Sequence, residues 1–394
     1  MAIELTPGNT LTADLESATL VGRVWAPGAP PGPSVVLLRP DGILDLSRWF
    51  PTLSALLASP DPAAAAREAG RTAPLLCGLV ECLANSAADR RNPALPYLLA
   101  PADLQSLKAC GVTFVSSMLE RVIEEKAKGD LGAADGIRAA INADIGGDLA
   151  RVKPGSLEAE RLKQALIGRG MWSQYLEVGI GPYAEVFTKS QPMSAVGSGA
   201  EIGIHPDSVW NNPEPEVVLA VAPSGAIVGA CLGNDVNLRD FEGRSALLLG
   251  RAKDNNASCA LGPTLRLFDG GFSLDDLRQV ELTLTVMGTD GFKLEARSSL
   301  GAISRDVGEL VAQTLNRNHQ YPDGLMLFTG TMFAPVQDRD AEGRGFTHKL
   351  GDVVTISTPK LGSLVNLVCR CDQTAPWTFG TGALMANLAR RGLL

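Results

Sequence analysis

Two glutamates stand two residues apart in "NNPEPEVVLAV", Asn211 to Val221, at the head of an apolar run that reads as a β-strand. Strand side chains alternate between faces, so Glu214 and Glu216 share one face and their carboxylates lie side by side. The chain continues as "APSGAIVGACLGNDVNLRD", where Pro223, Ser224 and Gly225 mark a turn into a second apolar run, the pattern of a β-hairpin. With the turn centred between Ser224 and Gly225, Asp235 falls opposite Glu214; a register slip of one residue would carry it to the other face. Three carboxylates that close repel and raise one another's pKa. Two arrangements resolve the conflict. Either the acids form a solvated strand end paired with Arg or Lys, or they hold a hard divalent cation, Mg²⁺, Mn²⁺ or Ca²⁺, which takes oxygen ligands.

The elements that must position these acids belong to a chain of 394 residues, long enough for two domains and a sizeable core. With 45% apolar and 20% charged residues the composition is that of a globular protein rather than a disordered one. A net charge of −8 and the lack of a basic cluster argue against a nucleic-acid partner. The start, "MAIELTPGNTLTADLES", carries acids and prolines where a signal peptide needs a basic start and an apolar run. The apolar stretch "APLLCGLVECLA" is interrupted by Gly78 and Glu81, so no membrane partner is expected and the expected location is the cytoplasm. Seven cysteines without a CxxC pair read as reduced thiols, and three scattered histidines, His205, His319 and His348, argue against a zinc site.

The expected fold class is α+β. "TLVGRVWAP" and "SVVLLRPDGILDL" read as strands, the second folded into a hairpin at Pro40-Asp41-Gly42, and "LSALLAS" and "DPAAAAREAG" as short helices. These make residues 1–105 an N-terminal α/β cap region. Residues 106–394 form the expected catalytic domain, with a helical segment over 111–170 that includes "SSMLERVIEEKAKGD" and "GSLEAERLKQALIGRG". Beyond Trp172 the runs "EVVLAV", "AIVGACLG", "VELTLTVMG", "FKLEARSS", "LMLFTGTM" and "DVVTISTP" predict strands, with one helix in "RDVGELVAQTLNRN". The charged residues Arg121, Glu124 and Glu125 of "MLERVIEEK" are expected on a solvated helix face, and His205 in its Pro-bearing loop is expected to be incidental.

Four motifs in order, "EVFTKSQP", "PEPEVVLAV", "GNDVNLRD" and "KDNNASCALGP", resemble the fumarylacetoacetate hydrolase superfamily over about Gly111 to Val368. The resemblance implies a β-rich roll with a metal held by Glu214, Glu216 and Asp235, Arg239 near the substrate, Lys253 in the site, and a substrate contact from Thr331 of "TGTMF". Hydrolytic members carry a "GxNYxxHxxE" segment where this chain has "GVTFVSSMLE". Ser117 stands in place of the histidine and Glu120 is kept, both on the substrate side. A serine cannot accept a proton near neutral pH, so the general base for hydrolysis is missing.

That departure resembles the sugar-acid dehydratase branch, in which Glu185 and Lys253 correspond to the catalytic pair. The branch implies a hydro-lyase that takes a 2-keto-3-deoxypentonate of the arabinonate or xylonate type to 2,5-dioxopentanoate with Mg²⁺. Lys253 is then the base at carbon 3 and Glu185 the acid for the leaving hydroxyl, with the exchanged roles open. A homodimer or homotetramer is implied by the resemblance alone. The competing readings are a metal-dependent hydrolase or decarboxylase of a β-diketo acid and a non-catalytic binder of 2-oxo acids.

Overall fold

The computed structural model describes residues 3–128, 152–168, 170, 172–333, 335–343 and 345–394. The strand Pro215–Val221 is buried at every position, because both faces of the sheet it joins are covered. Val217, Leu219 and Val221 point to one core, while Val218 and Ala220 point to another. The first core lies between this sheet and a smaller one, whose strands Glu281–Met287, Val353–Thr358 and Gly362–Arg370 contribute Leu282, Leu284, Val286, Val354, Ile356, Leu364 and Val368. The second is closed by the helices Leu53–Leu57 and Pro62–Ala69. Asp61 starts the latter by accepting a hydrogen bond from the Ala64 amide, with Pro62 in the first turn.

The large sheet is mixed and has eleven strands. Its centre runs Leu20–Ala26, Cys259–Leu267, Ile227–Asp235, Pro215–Val221, Leu325–Phe328, Ser106–Gly111, Glu185–Ser190, and the first of these pairs through Gly32–Arg39 to Gly42–Asp45. The expected division at residue 105 therefore does not separate two sheets. Leu20 pairs with Arg266 and Val21 with Leu265, so the N-terminal strands extend the sheet that carries the acidic hairpin. The strand Cys259–Leu267, which makes that junction, is not among the expected strands.

Of the expected helical segment, Val115–Ala127 and Leu157–Gly168 are helices, while residues 129–151 lie outside the described residues. Met118, Val122 and Ile123 pack against Leu166, Tyr175, Leu176 and Ile180. The polar side of Val115–Ala127 is not the solvated face expected of it. Arg121 is 5% exposed and Glu124 is fully buried, because their charges meet opposite charges inside the protein. "LMLFTGTM" is a strand only to Phe328; Gly330, at φ 99°, turns the chain out of the ladder and presents Thr331 as a loop residue.

Candidate metal centre and acid–base site

The hairpin holds its register to the acidic end, from Ala220 opposite Gly229 to Pro215 opposite Asn234, and the Asp235 amide donates to the Glu214 carbonyl at 3.1 Å. A bulge between Ala220 and Val221 absorbs the turn geometry at the other end. Carboxylate oxygens of Glu214, Glu216 and Asp235 consequently lie within 4.8 Å of one another, all three residues buried. Glu216 Oε2 accepts from the Gly330 amide at 2.7 Å. Lys253, at the end of the helix Leu249–Lys253, places Nζ 2.5 Å from Glu214 Oε2 and 3.0 Å from Asp235 Oδ2. Behind Asp235, Lys189 Nζ lies 2.9 Å from Oδ1, without the alignment of a hydrogen bond. On the far side of Glu214, Arg121 Nη2 contacts Oε1, and Arg121 Nη1 reaches Glu124 at 2.6 Å and Glu242 at 3.2 Å.

Arg121, Glu214, Glu216, Asp235, Glu242 and Lys253 surround one small cavity, also walled by Gly111, Ser117, Glu185, Phe187 and Thr331. Five carboxylates line it against two cations, Arg121 and Lys253. The imbalance governs their protonation. Burial, then the Glu242 charge, lifts Glu185 to about 7. Burial, then Asp235 and Glu214, pushes Glu216 well above the usual carboxylate range, and burial raises Glu242 as well. Burial also opposes ionisation of Asp235, but Lys189 and Lys253 outweigh it and hold that carboxyl low. Lys253 is the mirror case, its burial outweighed by Asp235 and Glu214, which hold its proton. A surplus of buried carboxylates, with an Asp235 oxygen lacking an aligned donor, fits a hard divalent cation at Glu214, Glu216 and Asp235.

Seven of the nine residues expected in the site meet at this cavity: Ser117, Glu185, Glu214, Glu216, Asp235, Lys253 and Thr331. Arg239 and Glu120 are not on its wall. The Arg239 guanidinium pairs with Glu124 at 2.5 Å and Glu120 at 3.1 Å, and lies 4.8 Å above the Trp210 ring, so it braces the helix that carries Ser117. No histidine is among the lining residues described, and His205 packs edge-on against Phe241 instead. Sequence reasoning missed Arg121, Lys189 and Glu242. Arg121 and Glu124 follow Ser117 by four and seven residues, one helix face, a spacing the sequence offers. Lys189 is the extra residue of a bulge opposite Leu107 and Lys108, so strand alternation does not fix its side.

Residues 182–369 match the family model described as fumarylacetoacetate (FAA) hydrolase C-terminal. A 2-dehydro-3-deoxy-D-arabinonate dehydratase of Saccharolobus solfataricus is 29% identical over 184 residues, 47% of this chain and 58% of that protein. A "Probable 2-keto-3-deoxyxylonate dehydratase" of Haloferax volcanii is 31% identical over 198 residues, 50% of this chain and 64% of its own. The chain thus spans less than two thirds of the length of these relatives. A solved structure of 2-keto-3-deoxy-D-arabinonate dehydratase complexed with magnesium and 2,5-dioxopentanoate shares the fold, with a TM-score of 0.55 at 19% identity over 89% of this chain and 99% of that one.

Proposed function

We propose that the protein is a metal-dependent hydro-lyase that removes water from a 2-keto-3-deoxypentonate, of the arabinonate or xylonate type, to give 2,5-dioxopentanoate. The observation that carries this reading is the meeting of Glu185 and Lys253 with the Glu214, Glu216 and Asp235 carboxylates at a cavity where Ser117 replaces the hydrolytic histidine. The names of the two curated relatives and the ligands of the similar solved structure support the substrate class, the product and magnesium.

Glu214, Glu216 and Asp235 would hold a divalent cation, which when bound would supply Lewis acidity toward a 2-oxo acid. The proton-moving groups belong to the chain itself. Lys253 takes the proton from carbon 3 as the free amine, after the proton that Glu214 and Asp235 hold on it has passed to solvent. Glu185, with its carboxyl raised to about 7, is still protonated in about half of the molecules at neutral pH and gives that proton to the carbon-4 hydroxyl, which departs as water. The carbon 3–carbon 4 double bond left behind carries the carbon-5 hydroxymethyl group, and tautomerisation turns that carbon into the aldehyde. The histidine that serves hydrolytic members as base has no counterpart among the lining residues described.

Glu185→Gln and Lys253→Met are each expected to lower kcat by ~10²-fold or more, the usual worth of a positioned acid or base, while Mg²⁺ affinity by calorimetry stays within a few-fold. Near-normal turnover in either variant would remove that residue from the mechanism.

A further inference from the structure

One buried acid on the cavity wall takes no part in these proton transfers. Glu242 ends the short helix Arg239–Glu242, is 4% exposed and faces the cavity. Its Oε2 lies 3.2 Å from Arg121 Nη1 yet accepts no hydrogen bond. A buried charged oxygen without a donor costs a fold more than a satisfied one, so such an atom aimed into a site marks a place for a donor from a ligand. Its main chain is anchored as well, since the Tyr175 hydroxyl donates to the Glu242 carbonyl at 3.5 Å.

The charged groups of the wall run in a row. Asp235 meets Lys253, Lys253 meets Glu214, Glu214 meets Arg121, and Arg121 meets Glu242. Glu242 therefore ends the row opposite Asp235, separated by Arg121 from Glu214, the nearest member of the carboxylate triad. A 2-keto-3-deoxypentonate has the same polarity. Its carboxylate and keto oxygens suit the triad, its carbon-4 hydroxyl is lost in the reaction, and its carbon-5 hydroxyl remains as a hydrogen-bond donor beyond the triad, on the side where Arg121 and Glu242 stand.

We infer that Glu242, positioned by Arg121, accepts a hydrogen bond from the carbon-5 hydroxyl and so selects a hydroxylated substrate over 2-oxo acids with an apolar tail. The inference rests on the dehydratase reading. A hydrogen bond to a carboxylate is of the strong, charge-assisted kind. A site built around such an acceptor rejects analogues lacking the hydroxyl, because they leave the acceptor buried and unpaired.

The test compares kcat/KM for 2-keto-3-deoxy-D-arabinonate and for its 5-deoxy analogue, a 4-hydroxy-2-oxopentanoate that keeps the carbon-3 protons and carbon-4 hydroxyl. Both compounds are assayed with Mg²⁺ on the wild type, Glu242→Leu and Glu242→Asp, with Mg²⁺ binding by calorimetry as the check on folding. The wild type is expected to prefer the hydroxylated compound by ~10²-fold or more. Glu242→Leu should shrink that preference to below ~10-fold, mainly through a raised KM for the hydroxylated substrate. Glu242→Asp, which retracts the carboxylate but keeps its charge beside Arg121, should fall between. A preference unchanged in both variants, even with lower overall rates, assigns Glu242 a purely structural role and overturns the inference. So does a wild type that turns over both compounds equally, which leaves the dehydratase reading standing. A wild type that dehydrates neither overturns that reading and this inference together.

Discussion

Burial and the charge of Glu242 lift the Glu185 carboxyl to about 7, so that about half of it still holds its proton at neutral pH. The sign of the consequence follows. A group that must be protonated to act fails as pH rises through its pKa, so kcat should fall through about pH 7, where an ordinary carboxyl, at 4.5, would have lost its proton well below the neutral range. A pH–rate profile checks this. A rate that stays level through neutral pH and falls only above it would reassign the acid. Among single residues, strand and hairpin spacing brought Glu214, Glu216 and Asp235 together, while Glu185 and Lys253 entered only through the resemblance. Arg121 was not legible, because a charged residue in a run of charges on a helix reads as solvated, and only the folded chain brings Glu214 and Glu242 to it.

Elements place these groups through register. The strand Ser106–Gly111 pairs with Glu185–Ser190 so that Gly111 lies opposite Glu185, and a Cβ on Gly111 would meet Glu185 Oε2 at 1.9 Å. The glycine is required by the carboxyl that lies over it. Gly111→Ala should displace Glu185 and lower kcat by ~10²-fold, the usual cost of an ångström of misplacement. Overpacking should cost the fold only about 1–3 kcal/mol. Steady-state kinetics with a thermal unfolding curve separate the two effects, and wild-type kcat would contradict the placement. The acidic hairpin was legible because its turn residues and two apolar arms agree with each other. The strand Cys259–Leu267 was not, because Gly262 and Pro263 interrupt its apolar pattern and its pairing partners lie far away in sequence.

Over the whole molecule, one eleven-stranded sheet carries both the acidic hairpin and the N-terminal strands, and the smaller sheet covers its other face. The N-terminal strands were recognisable one by one, yet their membership of the sheet that carries the acidic hairpin rests on the pairing of Leu20 and Val21 with Arg266 and Leu265, which no local pattern announces. Among the described residues no helix is long and apolar enough to cross a membrane. The most direct test of the central claim is an assay of the purified chain with 2-keto-3-deoxy-D-arabinonate, followed for 2,5-dioxopentanoate with Mg²⁺, with a chelator, and with Glu216→Gln in place of the wild type. The account predicts aldehyde formation that needs Mg²⁺, stops with the chelator, and falls by ~10²-fold or more in the variant, as expected when a metal ligand is lost. Aldehyde formed at the same rate with chelator present, or two carbon fragments released from an acylpyruvate and no aldehyde from the sugar acid, would contradict it.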